Sequence, residues 1–474
     1  MLLRHSLLYV LARGVPGLVN FAALAVYTRL LAPDEFGRYA LALAGVGLVN
    51  VFIFQWQRLV LARFLQAHEP RPHLFLGGIL AQFLALAAAV SGVGAICALI
   101  WPDPVWRRLL ALAVPLVAVQ AAFELTLGLA AASLQPGWYG RLLASKALIA
   151  LTCGGALAWV GLGATAPLLG LIVGHLLALV MFGYMGWRGA RLVWPDRRAL
   201  REQLAYGLPL TVTFALAWVV SSSDRLLLAW LAGEDAAGLY SAGYDLAFQG
   251  LTLGLTIINT AAYPLAVNAL ERHGVAQARE QLRRNGELII VAALTGATLL
   301  VVLAPVVVPW LIGQAFRADV LALLPWIAAA TALAGIKAYH FDIAFHLGRR
   351  SRTLVRIGAA TALVNVALNV WLIPAHGVLG AAWATLGAYA FALFFSIATC
   401  HRAFSMPAAS PLFLKGLAVA AVAGLAAGRG LAMNGPSWMQ LGAGVSFGVG
   451  GMFLAMLLCR DFRLWPSLRK LFFP

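Results

Sequence analysis

The sequence predicts an all-α, polytopic membrane protein with about 14 transmembrane helices, each of about 20 residues. Its residues are 62% hydrophobic and only 11% charged, whereas charged side chains make up about a quarter of an ordinary soluble domain and are needed to cover its surface. Apolar runs long enough to cross a bilayer as helices recur from one end of the chain to the other. Most of the 34 Lys and Arg fall on one side when successive connections are assigned to alternate faces, which is the asymmetry of a multi-spanning protein.

The first span, near 6 to 28, is too long for a signal-peptide core and lacks a small-residue cleavage site, so it is expected to remain as an anchor. "LLAPDEFGRY" (30 to 39) then ends one helix and opens the next: Pro33 and Gly37 interrupt the pattern, and Asp34 and Glu35 suit a helix N-terminus. The second span follows near 39 to 61. The third and fourth, near 74 to 100 and 109 to 134, flank a short connection with Trp101 and Trp106, residues of the kind enriched at membrane interfaces. The fifth and sixth, near 147 to 163 and 165 to 187, leave almost no loop between them. The longest polar stretch inside the chain, "RGARLVWPDRRALREQLAYG" (188 to 207), leads into the seventh and eighth spans, near 204 to 232 and 240 to 267. Arg272, Arg279, Arg283 and Arg284 mark the way to the ninth, near 286 to 312. Arg349, Arg350, Arg352 and Arg356 follow the tenth, near 320 to 347, and precede the eleventh, near 357 to 374. The last three lie near 378 to 400, 414 to 433 and 437 to 458. The remaining residues leave no room for an extramembrane domain, and the 21 Pro and 47 Gly are tolerable where neighbouring helices re-satisfy freed backbone groups.

An even number of spans puts both termini on the side of the basic clusters, expected to be cytoplasmic. Orientation and contact with anionic headgroups account for the net charge of +17, and no nucleic-acid partner is expected. Cys97, Cys153, Cys400 and Cys459 stand singly without metal or disulfide spacing, and the 9 His are dispersed, so no metal site is expected. "GVSFG" (444 to 448) matches the Gly-x-Ser-x-Gly pattern of hydrolase nucleophiles, but that motif needs a strand, a sharp turn and a helix. Here it falls in an apolar, glycine-rich span where small residues allow close packing. The outer connections are too short for a catalytic loop, and a transporter is expected rather than an enzyme.

The chain also repeats itself. After the seventh span it reads "WLAGEDAAGLY" (230 to 240), which echoes the Leu-Ala pair, two acids and Gly-x-Tyr of 30 to 39. The copies lie six spans apart and so share orientation, which predicts two lobes related by an axis along the membrane normal. On this basis 1–187 forms an N-terminal lobe, 188–203 a cytoplasmic connection, 204–403 a C-terminal lobe, and 404–474 the last two spans with a basic tail.

"YTRLLAPDEFGRYALA" (27 to 42), "YGLPLTV" (206 to 212), "SSSDRLLLAWLAGEDAAGLYSAGYDLA" (221 to 247) and "IPAHGVLGAAWATLGAY" (373 to 389) resemble the corresponding stretches of bacterial oligosaccharide-lipid flippases. These are the Wzx or polysaccharide-transporter family of the multidrug/oligosaccharidyl-lipid/polysaccharide exporter superfamily. The resemblance covers most of the first twelve spans. It implies two six-helix lobes in a V around a central cavity, with two further helices, in the bacterial inner membrane. It also implies carriage of an undecaprenyl-pyrophosphate-linked oligosaccharide from the cytoplasmic to the outer leaflet by alternating access, for O-antigen, capsule or exopolysaccharide synthesis. The implied partners are that substrate, membrane lipids and a polysaccharide polymerase; no cofactor is implied beyond a coupling proton or sodium ion. A multidrug or cation antiporter of the same superfamily and a lipid II flippase are the alternatives, and the antiporter should carry unpaired acids and aromatics.

Charges inside the spans demand partners or water, because each costs about 2.5 to 3.5 kcal/mol at the bilayer centre. "VVSSSDRLLLAW" (219 to 230) sets Asp224 beside Arg225. With side chains turning by about 100° per residue, Tyr206, Thr213, Ala217 and Asp224 share a face, with Arg225 at its edge. The pair is expected to be a structural lock, with Arg225 as a substrate contact the alternative. Arg13 and Arg58 either snorkel towards headgroups or form a cationic floor for a diphosphate, since Arg presents a planar fork matched to phosphate oxygens. Related lipid II flippases use arginines on the same first helices, an analogy that favours the second role. Lys337, within a turn of His340 in "GIKAYHFD", is a candidate substrate cation; Asp342 is expected on a different side of the helix, with pairing as the alternative. Glu124, near the centre of its span, is a candidate coupling-ion ligand or an arginine's partner, and Asp342 is the second coupling candidate.

Overall fold

The computed structural model describes residues 2–66 and 72–458, with the side chains of 2–13 and 15 outside the description. Among the described residues there is no strand. The first seven helices are α1 (Leu2–Leu30), α2 (Pro33–Phe64), α3 (Pro72–Ile100), α4 (Pro104–Ala132), α5 (Pro136–Trp159), α6 (Thr165–Trp187) and α7 (Arg197–Ala232). The stretch Glu234–Leu311 turns at Gly274, φ 80°, into α8 (234–273) and α9 (275–311). After α10 (Gln314–Leu347), Ser351–Cys400 turns at Gly377, φ 53°, into α11 (351–376) and α12 (378–400). Both turns use a left-handed conformation that glycine adopts without the penalty a side chain brings. The chain ends in α13 (Ala409–Leu431) and α14 (Ser437–Leu458). Eleven helical stretches among the described residues, the two turning ones counted as one each, are long and apolar enough to cross a membrane. This is the all-helical, multi-pass architecture that the composition predicts.

Helix starts follow local chemistry. Pro33, Pro104 and Pro136 open α2, α4 and α5, where the missing N–H costs nothing. The Glu35 carboxylate accepts from the Ala32 N–H at 3.1 Å, Asp103 from Val105 N–H at 2.7 Å, and Asp196 from Ala199 N–H at 2.6 Å, each satisfying an orphan donor of a first turn. Because caps and prolines rather than apolar content set these starts, α5 begins at Pro136 and α7 at Arg197, upstream of the apolar runs at 147 and 204.

Two compact units divide the chain, Met1–Ser241 and Ala242–Pro474. α7 packs within the first: Gly207 lies against Trp56 and Gly47 against Trp218, and Gln203 Oε1 accepts from Gln82 Nε2 at 3.0 Å. The core of that unit includes Val60, Leu61, Ile79, Leu116, Leu142 and Leu168; that of the second includes Leu282, Ile290, Ile336 and Phe345. Small residues bring helices close in both. Gly170 and Gly174 of α6 meet the backbone of α5, and Gly430 of α13 meets that of Ala443 on α14. The "GVSFG" stretch belongs to the same packing, since Gly444 and Gly448 face Leu303 and Leu299 of α9, as close approach at small residues requires.

Candidate functional site

In the first unit, Arg58 follows a π-helical turn of α2, Asn50–Phe54, a feature frequent at functional positions. Its Nη1 lies 3.0 Å from Glu124 Oε2 on α4 and donates to Gln55 Oε1 at 3.3 Å. Lys146 of α5 is within electrostatic reach of Glu124 and of His175 on α6, whose Nδ1 lies 2.7 Å from the Leu171 carbonyl oxygen. One cation, Arg58, thus pairs with the Glu124 carboxylate. Lys146 is absent from the sequence candidates because its apolar run begins one residue later; the proline that starts α5 was the signal that places it inside the helix. Arg13 lies on α1, but its side chain is outside the described residues.

Asp224 of α7 is fully buried, and Tyr240 donates its hydroxyl to Asp224 Oδ2 at 2.7 Å. Tyr240 is the last residue of the repeated "WLAGEDAAGLY" and is itself fully buried. Arg225, next along α7, is half-buried. The two repeated loops also meet each other. Gly37 lies against the Glu234 backbone and Gly238 against Pro33 and Gly37, with no room for a Cβ at either. Glu234 accepts from Arg38 Nε at 2.5 Å and from Trp106 Nε1 at 2.7 Å, and Arg38 also reaches Asp34 at 3.1 Å. The acids that open these helices therefore do more than cap them: one clasps the starts of α2 and α8 to α4.

In the second unit, Lys337 Nζ lies 2.6 Å from Asp342 Oδ2, so the two do not occupy different sides of the helix as the sequence predicts. The reason is local. Residues Lys337–Phe341 form a π-helical turn, and the Asp342 N–H bonds to the Lys337 carbonyl at 2.9 Å, which brings positions five apart onto one side. Ser396 of α12 donates to Asp342 Oδ1 at 2.9 Å. His340 is fully buried and its ring lies where a Cβ on Gly286 would stand. Glu287 of α9, with its side chain 1% exposed, holds Arg283 at 2.6 Å and Lys415 of α13 at 3.4 Å. That last pair ties in a helix for which the sequence offers no motif. Among the described residues no cluster of His, Cys, Asp and Glu has metal-site geometry.

The sequence profile of a family described as "Polysaccharide biosynthesis protein" matches residues 26–321. No curated protein matches the chain. Among solved structures, the chain is similar to the lipid II flippase MurJ in an inward closed conformation, with a TM-score of 0.80 and 11% identity, over 96% of this chain and 99% of that one. It is also similar to an inward-facing multidrug resistance MATE family transporter of the MOP superfamily, with a TM-score of 0.62, 12% identity, and coverage of 83% and 98%. A MOP superfamily transporter from Pyrococcus furiosus gives a TM-score of 0.60 and 13% identity over 89% of this chain and 95% of that one. At these identities the likeness is one of fold.

Proposed function

Because the chain belongs to the polysaccharide biosynthesis protein family whose profile it matches over most of its length, we propose that it flips an undecaprenyl-pyrophosphate-linked oligosaccharide from the cytoplasmic to the outer leaflet of a bacterial inner membrane. The observation that carries this reading is Arg58, paired with the carboxylate of Glu124 at 3.0 Å, with Lys146 of α5 within electrostatic reach of the same carboxylate. A diphosphate entering a low-dielectric region needs compensating charge, and each charge-assisted hydrogen bond is worth about 1.5 to 3 kcal/mol there. Arg58 and Lys146, with Arg13, serve as its ligands, and Lys337 is the second unit's cation. Glu124 and Asp342 are their resident counter-ions and the groups through which a proton or sodium ion drives the cycle. Arg225 is a further contact, and its neighbour Asp224, held by Tyr240, is the structural lock.

In this reading the repeated lobes, 1–187 and 204–403, alternate access, and the clasp of Arg38, Glu234 and Trp106 breaks once per cycle. Both termini and the 188–203 connection are cytoplasmic, and a polysaccharide polymerase takes the product into O-antigen, capsule or exopolysaccharide. A multidrug antiporter fits less well, because Glu124 and Asp342 pair with basic side chains at 3.0 and 2.6 Å and are not open acids awaiting a cationic drug.

Cells carrying Arg58→Ala with Lys146→Ala should keep near-normal amounts of the protein in the membrane, lose surface glycan, and accumulate the lipid-linked intermediate in the inner leaflet. Arg58→Lys alone should transport at an intermediate rate, since it keeps the charge and loses the fork. Undiminished surface glycan in the double variant, with protein level confirmed, refutes an anion-binding role for this cluster.

A further inference from the structure

We propose that the first unit also binds an anionic phospholipid, with an acyl chain in the groove between α3, α4 and α6 and the phosphate on the connection that follows α6. The groove encloses about 310 Å³ and is lined by Leu80 and Phe83 of α3, Leu125 and Thr126 of α4, and Val180 and Tyr184 of α6, among others. One wall is a π-helical turn of α6, Leu179–Gly183, which ends on a residue without a side chain. A Cβ at Gly183 would come 3.0 Å from Leu179 and 3.8 Å from Thr126, so glycine lets the wall of the groove pack closely here. Trp187 Nε1 donates to Thr126 Oγ1 at 3.0 Å and bridges α6 to α4 at one end. The outer rim is open to the surroundings, with Val180 and Tyr184 each 70% exposed. An apolar trough open along its side in a membrane-spanning helix group is filled by whatever alkyl chain lies beside it, and it offers nothing to a sugar.

The end of the groove selects the headgroup. Arg188 stacks over the Tyr184 ring, 5.7 Å from its centroid, and so stands directly at the rim. The chain then lies across the start of α3: the Arg191 N–H donates to the His73 carbonyl at 3.3 Å, and the Arg191 backbone occupies the space a Cβ on Gly77 would take, one turn before Leu80. Leu192 and Trp194 follow, 62% and 58% exposed, as residues do that dip into a headgroup layer. The Arg188 guanidinium thereby stands at the mouth of an alkyl-sized trough, and the backbone of a second exposed arginine, Arg191, is held on the start of α3. Arg matches phosphate oxygens with its planar fork, and basic residues beside a membrane favour anionic over neutral lipid. The occupant is therefore an anionic phospholipid of the leaflet on the side of the 188–196 connection, whichever way the protein is oriented. This goes beyond the proposed transport activity and does not depend on it.

The test is lipid retention by the purified full-length protein. Protein is reconstituted in nanodiscs of equal phosphatidylglycerol and phosphatidylcholine, extracted into mild detergent, and its bound lipid counted by native mass spectrometry. Wild type should retain phosphatidylglycerol preferentially. Arg188→Gln should lower that preference about fivefold, the ratio expected for one basic residue beside an anionic lipid, while still retaining a lipid. Val180→Trp, which fills the groove from its exposed side, should lose the bound lipid of either kind with an unchanged melting temperature in detergent. Equal retention of the two lipids by wild type overturns the proposal, as does full retention by Val180→Trp. Displacement of the retained lipid by undecaprenyl phosphate, at concentrations where added phosphatidylglycerol fails to displace it, also overturns it and assigns the groove to a carrier tail instead.

Discussion

Asp342→Ala should destabilise the protein by about 3 to 5 kcal/mol, and the double change of Asp342→Ala with Lys337→Ala should cost much less. The two side chains are only 12% and 16% exposed and meet at 2.6 Å. Removing the carboxylate leaves the ammonium group uncompensated in apolar surroundings and takes the acceptor from Ser396 Oγ. Removing both groups removes the charge along with its partner. Thermal unfolding of wild type and the two variants in one detergent measures the difference. If the double variant is as unstable as Asp342→Ala, the carboxylate is needed for more than neutralising Lys337. The proposed coupling role makes a separate demand: Asp342→Asn, which keeps the size and much of the hydrogen bonding, should slow transport more than it lowers stability.

Gly238→Val should disrupt the clasp of Arg38, Glu234 and Trp106. The branched side chain would be driven into the Pro33 carbonyl and the Gly37 N–H, backbone atoms that cannot rotate away. Overpacking of this kind costs about 1 to 3 kcal/mol. The relief available is separation of the starts of α2 and α8, which lengthens the Arg38–Glu234 and Trp106–Glu234 bonds. Water should then reach the loop more freely, and a cysteine introduced as Ala236→Cys, a position buried in the structure, should label several-fold faster with a membrane-impermeant maleimide in the Gly238→Val background. Arg38→Ala should produce the same effect more weakly. Unchanged labelling with unchanged stability in Gly238→Val would show that the loops do not hold one another.

The membrane class and the order of the helices were legible because crossing a bilayer needs only local information, a run of apolar residues of sufficient length. Helix ends were less so. Hydropathy leaves Lys146 outside its span because the apolar run begins at Ala147, whereas Pro136 begins the helix. Lys337 and Asp342 were misplaced relative to each other because a uniform turn per residue cannot anticipate a π-helical turn, which carries no periodic signature. The partnership of Arg58 with Glu124 joins α2 to α4, and that of Glu287 with Lys415 joins α9 to α13. Such pairs depend on which faces of two distant helices meet, and one sequence does not encode that in any short pattern. Tyr240 stands between these cases: it closes the repeated stretch, but its bond to Asp224 depends on how the helices pack.

The central claim, movement of a lipid-linked glycan handled by a cationic cluster, is tested most directly by reconstitution. Purified protein in proteoliposomes, given a fluorescent undecaprenyl-pyrophosphate-linked oligosaccharide in one leaflet, should transfer it to the other, as read by protection from a quencher. The protein with Arg58→Ala and Lys146→Ala should transfer it no faster than empty liposomes do. If wild type leaves the glycan lipid where it started while accumulating a cationic dye against a proton or sodium gradient, the flippase account is wrong and the protein is a cation exporter.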